Sequence, residues 1–302
     1  MGSTLRVEVE CLPCIAQVRA REISLLESGR QAVNHIREVM KLLAERGSSG
    51  ILVTRLATWS FRLVKKLTGV EDPYAAAKAR ANKAGARVAR LAEELLSQVD
   101  DGRERVKLCC RLSAVANSMD LGVAGYSFSI EELERQMRSS ELAIDDSDKL
   151  VEDVLEAGEA CMLLDNAGEV LIDALLAKEL RRLGVRVKAV VKSKPFQNDI
   201  TIGEFLELGL DKCFDSYVAT GSDASSLIPG EVSESVVDEV WSMPVIIAKG
   251  MAHYETLSDP AAAPPAKVYF ILKAKCAPIA RSLGVEAGAL AVRLQEPSVH
   301  LL

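Results

Sequence analysis

From Lys149 onward the chain repeats one pattern, a short apolar run followed by an amphipathic stretch and then another apolar run. The runs are Cys161–Leu164, Val185–Val191, Cys213–Val218, Val245–Ala248 and Val268–Leu272, five in all, or six with Leu290–Leu294. Strands that alternate with helical stretches build βαβ units, and these force a mainly parallel sheet of about five or six strands in an α/β fold. Between the first two runs lies Val170–Leu183, an amphipathic helix that Gly184 ends. Right-handed crossovers set consecutive strand ends on the same edge of the sheet. Their loops therefore share one crevice, where ligand sites of parallel sheets gather.

The first half reads differently. After a short alternating segment, Leu5–Cys11, it is helical in period and poor in β-branched runs. Ala81, Ala84, Val88, Leu91 and Leu95 make one apolar stripe after Asp72-Pro73, with Asp72 placed as an N-cap and Pro73 at the first helical position. The expected division is a helical domain over 1–148 and an α/β domain over 149–302, and 302 residues can bury the core this needs.

Charge narrows the partners. A formal net charge of −6 without a long run of like charge excludes a nucleic-acid-coating protein, so an anionic substrate would need local lysines. No apolar stretch approaches the ~18 residues of a membrane helix, and Met1–Glu10 carries acids where a leader would be apolar, so no membrane partner and a cytoplasmic location are expected. Seven cysteines, an odd number scattered through apolar segments, fit a reducing compartment.

The strand ends carry the chemistry. The first delivers Asp165, Asn166 and Glu169, and the second Lys192, Lys194, Asn198 and Asp199. The third delivers Thr220, Gly221, Ser222 and Asp223, and the fourth Lys249 and Gly250. Carboxylate and amide oxygens suit a hard divalent cation, which leaves positions for water and a substrate phosphate. Asp165, Asn166 and Asp199 are the expected metal ligands. An ammonium at Lys249 can neutralise a phosphoryl oxygen, and backbone amides around Gly221 can cradle others. Together these describe phosphoryl chemistry, with the attacking group open between a water held by the cation and Asp165 itself.

Eight segments in order resemble the damage-control phosphatases (domain of unknown function 89), in their compact archaeal and bacterial branch. They are Cys11-Leu12-Pro13-Cys14; Asp72-Pro73-Tyr74 with Lys78 and Asn82; Asn117-Ser118-Met119-Asp120; Asp165-Asn166-Ala167-Gly168-Glu169; Lys194 through Thr201; Thr220-Gly221-Ser222-Asp223; Lys249-Gly250-Met251 with Tyr254 through Leu257; and Leu272 through Cys276. The resemblance implies a helical N-terminal domain on a three-layer α/β/α domain. It implies hydrolysis of phosphate esters of small phosphorylated metabolites with a divalent metal (Mn, Co, Ni or Mg) on Asp165, Asn166 and Asp199. The family's lysine before glycine maps to Lys249, and its substrate contacts map to Thr220–Asp223 and, more loosely, to Asn117 and Asp120. His253 departs from the family, which usually has asparagine there.

Other readings compete at single positions. Asp-Asn-Ala-Gly can form a turn, Asn198-Asp199 can cap the helix that follows, and Asn117 with Asp120 can serve an interface on one helix face. Cys11 and Cys14 have a spacing that suits zinc or redox chemistry, but a closed zinc site needs four ligands and candidates are sparse. A nucleotide-binding or methyl-transferring enzyme would favour a Gly-x-Gly-x-x-Gly turn where Asp-Asn-Ala-Gly-Glu stands. A non-catalytic phosphometabolite-binding protein would not set carboxylates beside its anion. Oligomeric state is open.

Overall fold

The computed structural model describes residues 5–120 and 129–297. Among these, seven strands form one sheet in the order β1-β7-β6-β5-β2-β3-β4. They are β1 (Ile144–Asp145), β2 (Glu159–Leu163), β3 (Arg186–Val191), β4 (Ser216–Ala219), β5 (Val245–Lys249), β6 (Lys267–Lys273) and β7 (Leu290–Gln295). Strands β2 through β6 run parallel, so their carboxyl ends share one edge. β7 is antiparallel to β6, and the two-residue β1 is parallel to β7. Two details depart from the sequence reading. The run Cys213–Val218 is part 3-10 turn, Leu210–Cys213, with the strand starting at Ser216. Leu5–Cys11 makes only a single bridge, Arg6 to Leu52.

Both faces of the sheet are covered, which is why the strands read as continuous apolar runs. Alternate residues point to opposite sides. Ala160, Met162, Ile247 and Ile271 join a core with α4 (Ala75–Leu96), α5 (Gly102–Ala116), α7 (Ser147–Ala157) and α8 (Val170–Arg182). Cys161, Leu163, Ile246 and Phe270 join another with α10 (Glu234–Trp241), α11 (Gly250–Leu257) and α12 (Ala277–Leu283). The core therefore does not divide at residue 148, because α4, α5 and α7 form a covering layer of the sheet. A smaller core of its own lies among α1 (Cys11–Leu26), α2 (Gly29–Arg46) and α3 (Val53–Thr68), through Ile15, Ile23, Val39, Leu43, Leu56 and Val64. This three-helix unit sits over the sheet edge, with α3 against α11. The remaining helices are α6 (Ile130–Ser139) and α9 (Ile202–Glu207).

The chain builds β3 and β4 to one side of β2, then β5 and β6 to the other. The strand order reverses between β2 and β5, and the crevice outside their carboxyl ends is the site expected of such a sheet. No helix among the described residues is long and apolar enough to cross a membrane.

Candidate functional site

Asp165 and Asn166 leave the end of β2, and the loop after β3 folds back to meet them. The Ile200 N–H donates to the Asp165 carbonyl (2.9 Å) and the Ala167 N–H to the Asn198 carbonyl (2.9 Å), with a bridge between Asn166 and Asp199. Main-chain pairing thus sets Asp165, Asn166 and Asp199 together, and all three are buried. Asn166 Nδ2 donates to Asp165 Oδ2 (2.8 Å) and Glu169 Oε2 (2.9 Å), while its Oδ1 accepts from Asn198 Nδ2 (2.8 Å). From the C-cap of α5, Asn117 Nδ2 reaches the same two carboxylates at 3.0–3.1 Å.

Close backbone approach holds this arrangement. Gly250, at φ +75, opens α11 directly above Asp165, and a Cβ there would lie 1.8 Å from Asp165 Oδ2. Gly168, at φ +84, lies against α4, where a Cβ on Gly85 would stand 2.3 Å from the Gly168 carbonyl oxygen. Neither position accepts a side chain.

Electrostatically the site is short of positive charge. Burial, reinforced by Asp199 and Glu169, pushes the Asp165 carboxyl far above the ordinary aspartate range. Burial also pushes Asp199 up to about 6, although Lys192, 3.1 Å away, pulls it down. That ion pair is made through Asp199 Oδ2, which is buried. Asp120 closes the group and pairs with Lys275 Nζ at 2.6 Å, which also reaches the Asn117 carbonyl (2.7 Å). Oxygen donors crowded so that they repel one another fit a hard divalent cation. The set rests on two carboxylates and an amide, since no three His, Cys, Asp or Glu side chains among the described residues converge as a metal cluster.

Asp120, Asp165, Asn166 and Asp199 face a cleft roofed by α1 and α3 and walled by α11. The site, the roof and the sheet up to the start of β7 fall within residues 7–291, which match the family model of the damage-control phosphatase ARMT1-like domain. This chain belongs to that family. It is 35% identical to a damage-control phosphatase of Archaeoglobus fulgidus, covering 97% of this chain and 100% of the relative. It is 30% identical to a damage-control phosphatase of Pyrococcus horikoshii, covering 95% and 97%. The crystal structure of a DUF89 family protein from Pyrococcus horikoshii superposes with a TM-score of 0.82 at 27% identity, over 95% of this chain and 98% of that one.

Within this family fold, the expected residues separate into two groups. Asp165, Asn166, Asp199 and Asp120 line the cleft, with Asn117, Glu169 and Asn198 hydrogen-bonded directly behind them. Lys249 does not stand at the crevice as expected. It is fully buried, ion-paired with Glu169 (3.2 Å) and Asp173 (3.4 Å) and donating to the Ser113 carbonyl (3.1 Å). β5 continues through Lys249, and with Ala248 facing α11 the alternation turns Lys249 toward α5 and α8. Its ammonium holds Glu169 in place.

The turn Thr220–Asp223 is likewise away from the cleft. Thr220 Oγ1 donates to the Ser222 carbonyl, the Gly221 N–H is taken by Ser193 Oγ, and Asp223 pairs with Arg62 and Lys65 of α3. The turn fastens the three-helix roof to the sheet. Asp72 accepts from the Tyr74 N–H and pairs with Lys78, while Tyr74 occupies the N-cap. Cys11 and Cys14 stand in the cleft wall without a disulfide between them, and burial pushes Cys11 up to about 11, which keeps it a neutral thiol. His253, the family departure, accepts or donates to Ser226 Oγ at 2.9 Å, and burial lowers it to about 3.

The sequence reading missed Lys275, Glu255 and Arg19. Lys275 follows β6 and could have been found by extending the strand-end survey one strand further. Glu255 and Arg19 sit inside helices, and only the packing of α11 and α1 over the crevice brings them to it.

Proposed function

We propose that this protein is a divalent-metal-dependent phosphatase that hydrolyses phosphate monoesters of small metabolites. The observation that carries the reading is the cluster of Asp165, Asn166 and Asp199, three oxygen-bearing side chains buried together at the point where strand order reverses. Membership of a family whose relatives are named damage-control phosphatases supports it.

In this reading Asp165, Asn166 and Asp199 hold the cation. When bound, it supplies charge stabilisation to the phosphoryl group and lowers the pKa of a water. The chain's own residues set the stage. Asn117 and Glu169 fix the rotamers of Asp165 and Asn166, and Lys249 offsets the charge of Glu169 from beneath. Lys192 and Lys275 steady Asp199 and Asp120. α1 and α3 roof the cleft in which the phosphate ester would sit.

The test is phosphate release from p-nitrophenyl phosphate, and from a panel of sugar and other metabolite phosphates, with Mn²⁺, Co²⁺, Ni²⁺ or Mg²⁺. Turnover that appears with metal and vanishes with chelator supports the reading. Metal-independent turnover, or none with any metal, contradicts it.

A further inference from the structure

Arg19 is the one lysine or arginine that lines the cleft among the described residues. It lies on the buried face of α1 with Ile15, Val18, Glu22 and Ile23, and is 1% exposed. Its guanidinium carbon sits 5.1 Å from the centre of the Phe61 ring, and its Nη1 is 3.1 Å from Glu22 Oε2. Beyond that ion pair, the guanidinium Nε is buried with no hydrogen-bond partner among the described residues. Burying a donor without an acceptor is costly, so native structures rarely leave one unmet. A fork of N–H donors matches the oxygens of a phosphate or carboxylate.

The neighbourhood ties this group to the carboxylate cluster. Tyr74 O–H donates to Glu22 Oε1 (2.7 Å), and Gln197 also hydrogen-bonds Glu22. Gln197 lines the cleft two residues before Asp199 and has φ +45, a conformation that only glycine adopts freely. Strain of this kind gathers where the surroundings impose a function. The other nearby cations are committed, Lys192 to Asp199 and the Ser225 carbonyl, Lys275 to Asp120 and Asn117.

We propose that Arg19 binds an oxyanion of the phosphorylated substrate, the role that sequence alone assigned to Lys249. The inference rests on the phosphatase reading for the identity of its ligand. Glu22 holds the guanidinium between turnovers and competes with the anion for it.

Calorimetric titration of inorganic phosphate, with and without Mn²⁺, tests the contact directly. Arg19→Gln should weaken phosphate binding at least tenfold while Arg19→Lys recovers part of the loss. Glu22→Gln, which keeps the shape and removes the competing charge, should tighten binding at least threefold. If Arg19→Gln fails to fold, Glu22→Gln decides, and unchanged or weaker binding in it overturns the proposal. A folded Arg19→Gln that binds phosphate within twofold of wild type also overturns it, as does a wild type that binds no phosphate. KM values locate the anion. A rise with both p-nitrophenyl phosphate and phosphoglycolate assigns Arg19 to the phosphoryl group, and a rise with phosphoglycolate alone assigns it to a second anion. Phosphate binding that depends on Arg19 in a protein without hydrolytic activity would refute the phosphatase reading and leave this one standing.

Discussion

At the scale of single residues, Asp165 is held against its own preference. Burial, Asp199 and Glu169 all disfavour its charge, and Asn117 and Asn166 stabilise it with hydrogen bonds. Asp165→Asn should therefore raise the metal-free protein's stability, as read by urea unfolding with chelator present. A metal-free variant less stable than wild type would contradict the electrostatic account. Glu255 gives a pH signature. It lines the cleft, and burial followed by Asp120 pushes its carboxyl up to about 8. The folded pKa lies above the unfolded one, so the contribution is complete below pH ~4.5 and is lost as pH rises through about 8. Wild type should lose stability across that window more steeply than Glu255→Gln, and parallel pH–stability curves would remove Glu255 from the cause.

At the scale of elements, loops are aimed by glycines that let backbones touch. Gly85→Ala would drive a Cβ into the Gly168 backbone and should cost about 1–3 kcal/mol, the range for overpacking a well-filled site, measured by denaturant unfolding. Gly250→Ala would strike Asp165 Oδ2, and because misplacement by ~1 Å can cost about 100-fold in rate, we expect a loss of that order in phosphate release. What sequence showed and what it hid are separable here. Asp165 and Asn166 were legible because they follow the apolar run that ends β2, and Asp199 because it lies in the loop that leaves β3 at the same edge of the sheet. Lys249 was misread because it is still inside β5, where one residue of register turns a side chain to the opposite face. Thr220–Asp223 was misread because β4 is an edge strand with β3 between it and β2, and strand order is not written in an alternation of runs. Arg19 was invisible because an arginine on an apolar helix face shows its partners only after the helix docks.

At the scale of the molecule, α1 and α3 of the three-helix unit and the sheet beneath them make one cleft, with acidic groups at the strand ends and Arg19 above. A cation that binds the folded chain and not the unfolded one stabilises it by mass action, about 2.7 kcal/mol at a hundredfold excess over Kd. Wild type should show this as a rise in Tm with Mn²⁺ that chelator reverses and Asp165→Ala abolishes. The most direct test of the central claim is the rate of phosphate release by wild type, Asp165→Ala and Asp199→Ala under saturating Mn²⁺. We expect turnover by wild type alone, with both variants folded and at the level of chelated enzyme. Wild-type turnover by either variant would show that these residues do not hold the metal that drives hydrolysis.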